Sequence, residues 1–515
     1  MGIPSYYKRL SNSIKGLVVP HRLDKTLQVG TLLFDFNCMI YQILRAPDLP
    51  PFPGYGHPDA DAWEADVCQR ICDYTANVWS EVGKPKTVFL AIDGVVPMAK
   101  IRQQRLRRFK SIWTAKEEVV RGIRPHDPNR WDTNAITPGT AFMERLSRRL
   151  AKQCKTMGWT LSDASEPGEG EQKCMAFWRA HAASAGNVVL YGLDADLILL
   201  CLLTKQLLKT QESVWCIRES AEWEGKQTSS GFMRLSIDKL FDALRNLEMD
   251  PLEWTYDYVA AMSFLGNDFV PHGLTLKIRD GGHDRLLKDL KDLHTAGLRL
   301  THVVDNRVIY RLDGICFLAK AWASQEEHKL LECMKNKHHK INYEDWQMLP
   351  CVWAEEQKVL CSMPKVLHTD WTERMMNAWF GKGVTAHQVC SAYAYGLQWI
   401  LDYYTGQVPV NTTWIYPWSL PPSWKQWLTY CTSQSSLDLP EASTQSQILP
   451  EEQLSMVLPL ESWQFLRNPK LQTLPARFPQ FWPSRFGFFS AGKTFLWECE
   501  AELPLLHLAT VRSTT

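Results

Sequence analysis

Seven carboxylates sit in short motifs that could hold metal: Asp35 in FDFN, Asp93 in AIDG, Glu169 and Glu171 in EPGEGEQK, Asp194 and Asp196 in YGLDADL, and Asp268 in FLGNDFVPH. Hard oxygen ligands in that number suit Mg²⁺ or Mn²⁺ better than zinc. Two such ions ~3.5–4 Å apart would serve in-line phosphodiester hydrolysis, one activating water and the other stabilising the leaving 3′ oxygen. Within Glu169/Glu171 and Asp194/Asp196, alternate residues of extended chain would point the same way. Just after Asp93, the residues Lys100, Gln104, Arg107 and Arg108 recur at helical spacing and fall within roughly a 100° arc of one helix face. A cation site beside a clustered basic face is an arrangement for handling phosphate. Each piece alone has a duller explanation: turn glycines, a strand-end acid, a solvated Arg-rich helix. Their co-occurrence in one half of the chain changes the reading, because burying so much negative charge without a cation is costly.

The elements that must position these groups alternate. Apolar runs at 31–36, 87–92 and 187–193 read as strands, separated by helical patterns at 60–82, 97–113 and 139–157, with another at 169–183. This order predicts an α/β fold, a mostly parallel sheet flanked by helices. Ligands bind such sheets beyond the carboxyl ends of the strands, where Asp35, Asp93 and Asp194 would converge. We expect a catalytic core at 1–320, a connector at 321–370 and a second segment at 371–515 that completes the cleft. The Pro/Gly-rich stretch 46–58 and the Ser/Gln/Pro-rich stretch 432–450 read as loops. The connector contains the charged, His-rich stretch 325–345, an exposed helix or linker, with His338 and His339 on a solvated turn. The Trp, Tyr and Pro of the last segment read as an aromatic-rich region packed on the core.

At 515 residues the chain can bury two or three domain-sized cores. A net charge of +1 excludes a large basic field, so any nucleic-acid contact must come from local patches, of which 100–124 is the densest. The 14 Cys include no CxxC pair, and no signal peptide is evident, which points to reduced thiols in a cytoplasmic setting. Cys68 and Cys72 have no matching Cys/His pair at zinc-finger spacing. No apolar run reaches the ~18 residues of a membrane span. Met1-Gly2 begins a myristoylation pattern, but Tyr6 stands where Ser or Thr is wanted.

The segments MGIPSYYKRL, FDFN, IDGVVPMAKIRQQRLRRF, ITPGTAFM, PGEGEQK, YGLDADLILL and FLGNDFVPH resemble, in order, those of the Xrn-type 5′→3′ exoribonucleases. Further on, YGLQWILDYYTG, LPEEQLSMVLP and GKTFLWECEAELPLL continue the resemblance. It implies a PIN/flap-nuclease-like core in which all seven acids bind two Mg²⁺ or Mn²⁺ ions. It also implies a pocket for a 5′-monophosphate at Lys100, Gln104, Arg107 and Arg108. Trp497 matches the aromatic that stacks on a terminal base, a contact that tolerates any base. The implied enzyme is a monomer that degrades single-stranded RNA processively to nucleoside 5′-monophosphates, downstream of the decapping machinery.

One position departs from the family pattern: Tyr41 stands where the family has His. A phenol keeps the ring and a hydroxyl but, unlike an imidazole, does not titrate near neutral pH. The stretch between Trp113 and Asn134 is short for the projecting helical tower of some members. The chain also stops soon after GKTFLWECEAELPLL, so a compact core without long C-terminal extensions is expected. Two other readings remain: a structure-specific flap endonuclease, which would cut away from the end, and a catalytically weak RNA-binding scaffold.

Overall fold

The computed structural model describes residues 5–21, 28–192, 194–220, 231–340, 355–437 and 447–513, together with Ile3, Trp346, Gln347 and Pro440. Met1, Gly2 and the end of the third expected strand, at residue 193, lie outside these. Seven strands form one sheet: β1 (Val18–Pro20), β2 (Val29–Asp35), β3 (Thr87–Ala91), β4 (Thr160–Ser162), β5 (Asn187–Tyr191), β6 (Val214–Glu219) and β7 (Phe232–Ser236). Their order is β1-β7-β6-β5-β2-β3-β4. The run from β6 to β4 is parallel throughout, and β7 and β1 close one edge antiparallel. The three expected strands are thus the central ones, β5, β2 and β3.

The helices of this half are α1 (Tyr6–Ser13), α2 (Asn37–Leu44), α3 (Ala60–Glu81), α4 (Met98–Val120), α5 (Ala141–Met157), α6 (Gly170–Ala180) and α7 (Asp196–Leu208). Strand alternation sorts the side chains into two apolar layers. Leu33, Phe89 and Leu190 join Cys174, Met175 and Trp178 of α6 and Leu197–Leu203 of α7 on one face. Leu32, Phe34, Val88, Leu90 and Val189 join α2, α3 and α5 on the other. Both faces are therefore covered, which is why these strands read as continuous apolar runs. Cys68 and Cys72 belong to the second layer, buried among apolar side chains of α3.

Local signals set the helix ends. Thr140 caps α5 by accepting from the Met143 N–H, and Gly158, at φ 70°, ends it in a left-handed turn. α4 extends to Val120, beyond the expected end at 113, because its outer turns continue as polar helix. Its apolar stripe, Met98, Ile101 and Phe109, packs on Leu454, Val457, Trp482 and Leu506 of the last segment. Helix Ala386–Thr405 begins in a capping box of Thr385 and Gln388 and ends at Gly406, φ 61°. It enters the first apolar layer with Tyr393, Leu397 and Trp399 fully buried, so the aromatic-rich segment packs on the sheet layers.

Residues 46–58 form an irregular loop, as expected. His338 and His339 fall in helix Glu326–Lys340 and not on a turn, since the charged run keeps helical spacing without a breaker. Within 432–450, residues 438–439 and 441–446 are outside the described region. No helix among the described residues is long and apolar enough to cross a membrane.

Candidate active site

The parallel strands deliver the acids to one rim. Asp35 is the last residue of β2, and Asp93 follows β3 by two. Asn37, at the start of α2, holds Asp93 twice: its Nδ2 donates to Oδ2 at 2.8 Å and its Oδ1 accepts from the Asp93 N–H at 3.3 Å. The Gly170 N–H donates to the other Asp93 oxygen at 2.7 Å. Gly170 sits so close that a Cβ there would lie 2.6 Å from Asp35 Oδ1 and 2.9 Å from the Ala91 carbonyl. Only glycine lets α6 start against the strand ends.

The two acid pairs reach the rim by a different route from the one expected. Glu169 is the N-cap of α6 and Glu171 lies in its first turn, while Asp196 opens α7 after the helical Ala195. Neither pair is extended chain. Helix N-termini present them instead, where the positive end of the backbone dipole favours carboxylates. One oxygen each from Asp35, Asp93 and Glu171 lie within 4.8 Å of one another. Asp194 and Asp196 act electrostatically on Asp35, so they stand nearby.

This concentration of charge is visible in the acidities. Burial, then the charges of Asp93, Asp194 and Asp196, hold the Asp35 carboxyl well above its usual value. Burial and Glu169 do the same to Glu171. Asp93 is raised by burial, and Asp196 is pushed up to about 7 by burial and by Asp194. Among the described residues, Asp196 Oδ1 is buried without a hydrogen-bond partner. Clustered carboxylates with an orphaned oxygen are short of positive charge, and oxygen donors of this kind fit a hard divalent cation.

Among the described residues, Lys100 supplies that charge. From α4 its Nζ donates to Asp268 Oδ2 at 2.8 Å and pairs with Glu169. Burial alone would lower its ammonium, but Asp268, Glu169, Glu171 and Asp196 outweigh burial and hold it well above its usual value. Asp268 is held below its usual range despite burial, with Lys100 a cause. The expected basic face is therefore split. Lys100 stands among the acids. Gln104 is buried next along the helix, its amide oxygen without a partner among the described residues. Arg107 lines an open groove. Arg108 donates to Thr137 Oγ1 at 2.7 Å and lies within electrostatic range of Tyr41, its guanidinium lowered to about 10 by burial and so still charged at neutral pH.

Arg105, from the same basic run, turns away: it donates to the Met456 and Phe481 carbonyls and lies over Phe109 and Trp482. It fixes α4 to the last segment.

The groove, about 360 Å³, runs from Asp268 between α4, the loop 266–272 and residues 493–500. Trp497 stands on its wall, 46% exposed, stacked on Phe495 with Arg279 5.0 Å from its ring centre. Tyr41 is half-buried on α2, packed against the α3 layer. Three polar neighbours escaped the sequence reading. Tyr403 donates its hydroxyl to Glu169 Oε1 at 2.8 Å, Gln103 approaches Asp268 Oδ1 at 3.4 Å, and Asn37 holds Asp93. Tyr403 was in view within YGLQWILDYYTG, but nothing local shows that it reaches an acid more than two hundred residues earlier.

The family described as XRN 5'-3' exonuclease N-terminus matches residues 1–219. Residues 1–219 are therefore similar to the N-terminal part of the XRN 5'-3' exonucleases. The match holds the strands and helices that carry six of the seven acids and all of α4. The chain is also 30% identical over 364 residues to 5'-3' exoribonuclease 2 of Schizosaccharomyces pombe, covering 56% of this chain and 36% of that protein. It is 29% identical over 337 residues to 5'-3' exoribonuclease 1 of Saccharomyces cerevisiae, covering 58% and 21%. It is 28% identical over 389 residues to 5'-3' exoribonuclease 2 of Gallus gallus, covering 58% and 40%. The chain thus spans about a third of the length of several curated relatives it matches.

Proposed function

We propose that this protein is a processive 5′→3′ exoribonuclease that hydrolyses 5′-monophosphorylated single-stranded RNA to nucleoside 5′-monophosphates. The observation that carries the reading is the continuity from acids to groove. The helix that leaves Asp93 carries Lys100 into the acid cluster and Arg107 onto the groove that starts at Asp268, with Gln104 and Arg108 on the same helix face. An enzyme that cuts one nucleotide from a phosphorylated end needs that end gripped about one nucleotide from the cut.

In this reading Asp35, Asp93, Glu169, Glu171, Asp194, Asp196 and Asp268 hold two Mg²⁺ or Mn²⁺ ions. When bound, the ions supply charge stabilisation and an acidified water. The chain's own residues do the rest. Arg107 and Arg108 offer forked donors to a dianionic terminal phosphate, with the Gln104 amide between them and the acids. Lys100, already paired with Glu169 and Asp268, keeps positive charge between that phosphate and the acids. Tyr403 and Asn37 fix the rotamers of Glu169 and Asp93. Trp497 and Tyr41 would flank stacked bases, a contact worth ~1–3 kcal/mol per base and indifferent to sequence. A cap or triphosphate would leave bulk and charge unmatched, so decapped RNA is the proposed substrate, and a cytoplasmic monomer the proposed form.

One RNA prepared with a 5′-monophosphate, a 5′-triphosphate or a 5′-hydroxyl tests the reading. Mononucleotide release from the monophosphate form alone is the expected result. Internal fragments would favour a flap endonuclease, and binding without cleavage in Mg²⁺ a scaffold.

A further inference from the structure

Lys493 is 6% exposed and lines the groove, its ammonium held below its usual range chiefly by burial. Among the described residues no carboxylate lies within ion-pair distance of it. Its side-chain partner is an imidazole: Nζ lies 3.1 Å from His272 Nε2. His272 Nδ1 lies 3.0 Å from the Gly273 carbonyl, an acceptor, which places the ring proton on Nδ1 and leaves Nε2 to accept from the ammonium. Burial and the neighbouring Lys493 and Lys277 keep that ring well below its usual range, in keeping with the neutral form. The imidazole therefore orients Lys493 without neutralising it.

The surrounding charge compensates only in part, Glu500 and Glu498 offsetting some of the effect of burial and of Lys277. Lys110 also lines the groove, and its Nζ donates to the Trp497 and Cys499 carbonyls at 2.9 and 2.6 Å. The two acids on this wall are engaged elsewhere. Glu498 pairs with Arg279 at 2.8 Å and accepts the Thr494 N–H, while Glu500 accepts from Ser419 Oγ at 2.6 Å and faces Arg102 at 3.6 Å. A buried ammonium beside an open groove, with its nearest side-chain partner uncharged, gains charge stabilisation from an anion that reaches it.

We propose that Lys493, oriented by His272 and joined by Lys110, forms a second anion subsite in the groove, one that holds a nucleotide phosphate on the Trp497 side. The proposal rests on the nuclease reading for its ligand. Two sources share that chemistry: an internucleotide phosphate of the bound strand, and the phosphate of a released mononucleotide. The geometry favours the strand, because the groove runs on from Asp268 past the exposed face of Trp497.

The test uses 5′-phosphorylated RNAs carrying one neutral methylphosphonate linkage, moved stepwise from the 5′ end. Binding is read in EDTA, and turnover in Mg²⁺, for the full chain and for Lys493→Met and His272→Gln. Losing a charge-assisted contact should weaken wild-type binding about ten- to a hundredfold at one linkage only. Lys493→Met should bind as weakly as that modified RNA and lose nothing further from the same modification, and His272→Gln should show part of this loss. If no linkage is special but inhibition by nucleoside 5′-monophosphate weakens in Lys493→Met, the subsite stands with the product as its ligand. Equal methylphosphonate penalties in wild type and Lys493→Met, with unchanged mononucleotide inhibition and melting temperature, would overturn it. Failure of the nuclease reading appears separately, as wild-type binding without turnover.

Discussion

Lys100 has two kinds of neighbour. Its position on the α4 face groups it with Gln104, Arg107 and Arg108, the proposed grip for phosphate. Its ammonium, however, is paired with Asp268 and Glu169. Removing one partner of a buried ion pair leaves uncompensated charge and costs about 3–5 kcal/mol. Lys100→Met should therefore destabilise the metal-free protein by about that amount in denaturant unfolding, with Mg²⁺ restoring much of the loss. Unchanged stability in EDTA would show that Lys100 does not neutralise the acids. By contrast, Arg105 contributes through the carbonyls it satisfies and the rings it covers, although its sequence neighbourhood looks just as basic.

At the scale of elements, the site depends on how closely α6 approaches the ends of β2 and β3. Gly170 is the contact point, with no room for a Cβ between Asp35 and the Ala91 carbonyl. Gly170→Ala should push the helix start outward, taking Glu169 and Glu171 with it. We expect roughly a ten- to hundredfold loss in Mg²⁺ affinity, the scale seen when groups that orient metal ligands are disturbed. Calorimetric titration with Mg²⁺ checks this, and retained circular dichroism would separate it from unfolding. Central strands β5, β2 and β3 were legible as continuous apolar runs because both their faces are buried. The three-residue strands β1 and β4 carry too little pattern to read, and β6 and β7 mix polar with apolar residues toward the antiparallel edge.

For the whole molecule, the rim of acids links stability to pH. The raised carboxyls of Asp35, Asp93, Glu171 and Asp196 keep protons in the native state that the unfolded chain releases near pH 4. A native state that binds more protons loses stability as pH rises. Asp194 and Asp268, shifted downward, are ionised in both states above pH 5 and add no slope there. A divalent cation needs the ionised acids, so its stabilising effect should grow with pH. From pH 5 to 8 the Mg²⁺-dependent gain should increase by at least about 1.4 kcal/mol, the equivalent of one pKa unit. Reading the difference with and without Mg²⁺ cancels the titration of groups outside the rim such as Glu326, raised by burial, and His283, lowered by burial, and a flat difference would count against a metal site at this rim.

The sequence alone determined the fold class and which seven acids and four α4 residues deserved attention. These are local properties: apolar runs announce strands, and motif spacing announces turns and helix faces. Tertiary structure decided what each side chain meets. It showed the acid pairs at helix starts, Lys100 drawn among the acids, Arg105 turned to the last segment, and Tyr403 brought to Glu169. It also left Lys493 beside a groove with a neutral imidazole for a partner. Each of these contacts joins residues far apart in the chain. Electrostatic energy depends on distance in space and on burial, and neither is written in the order of residues.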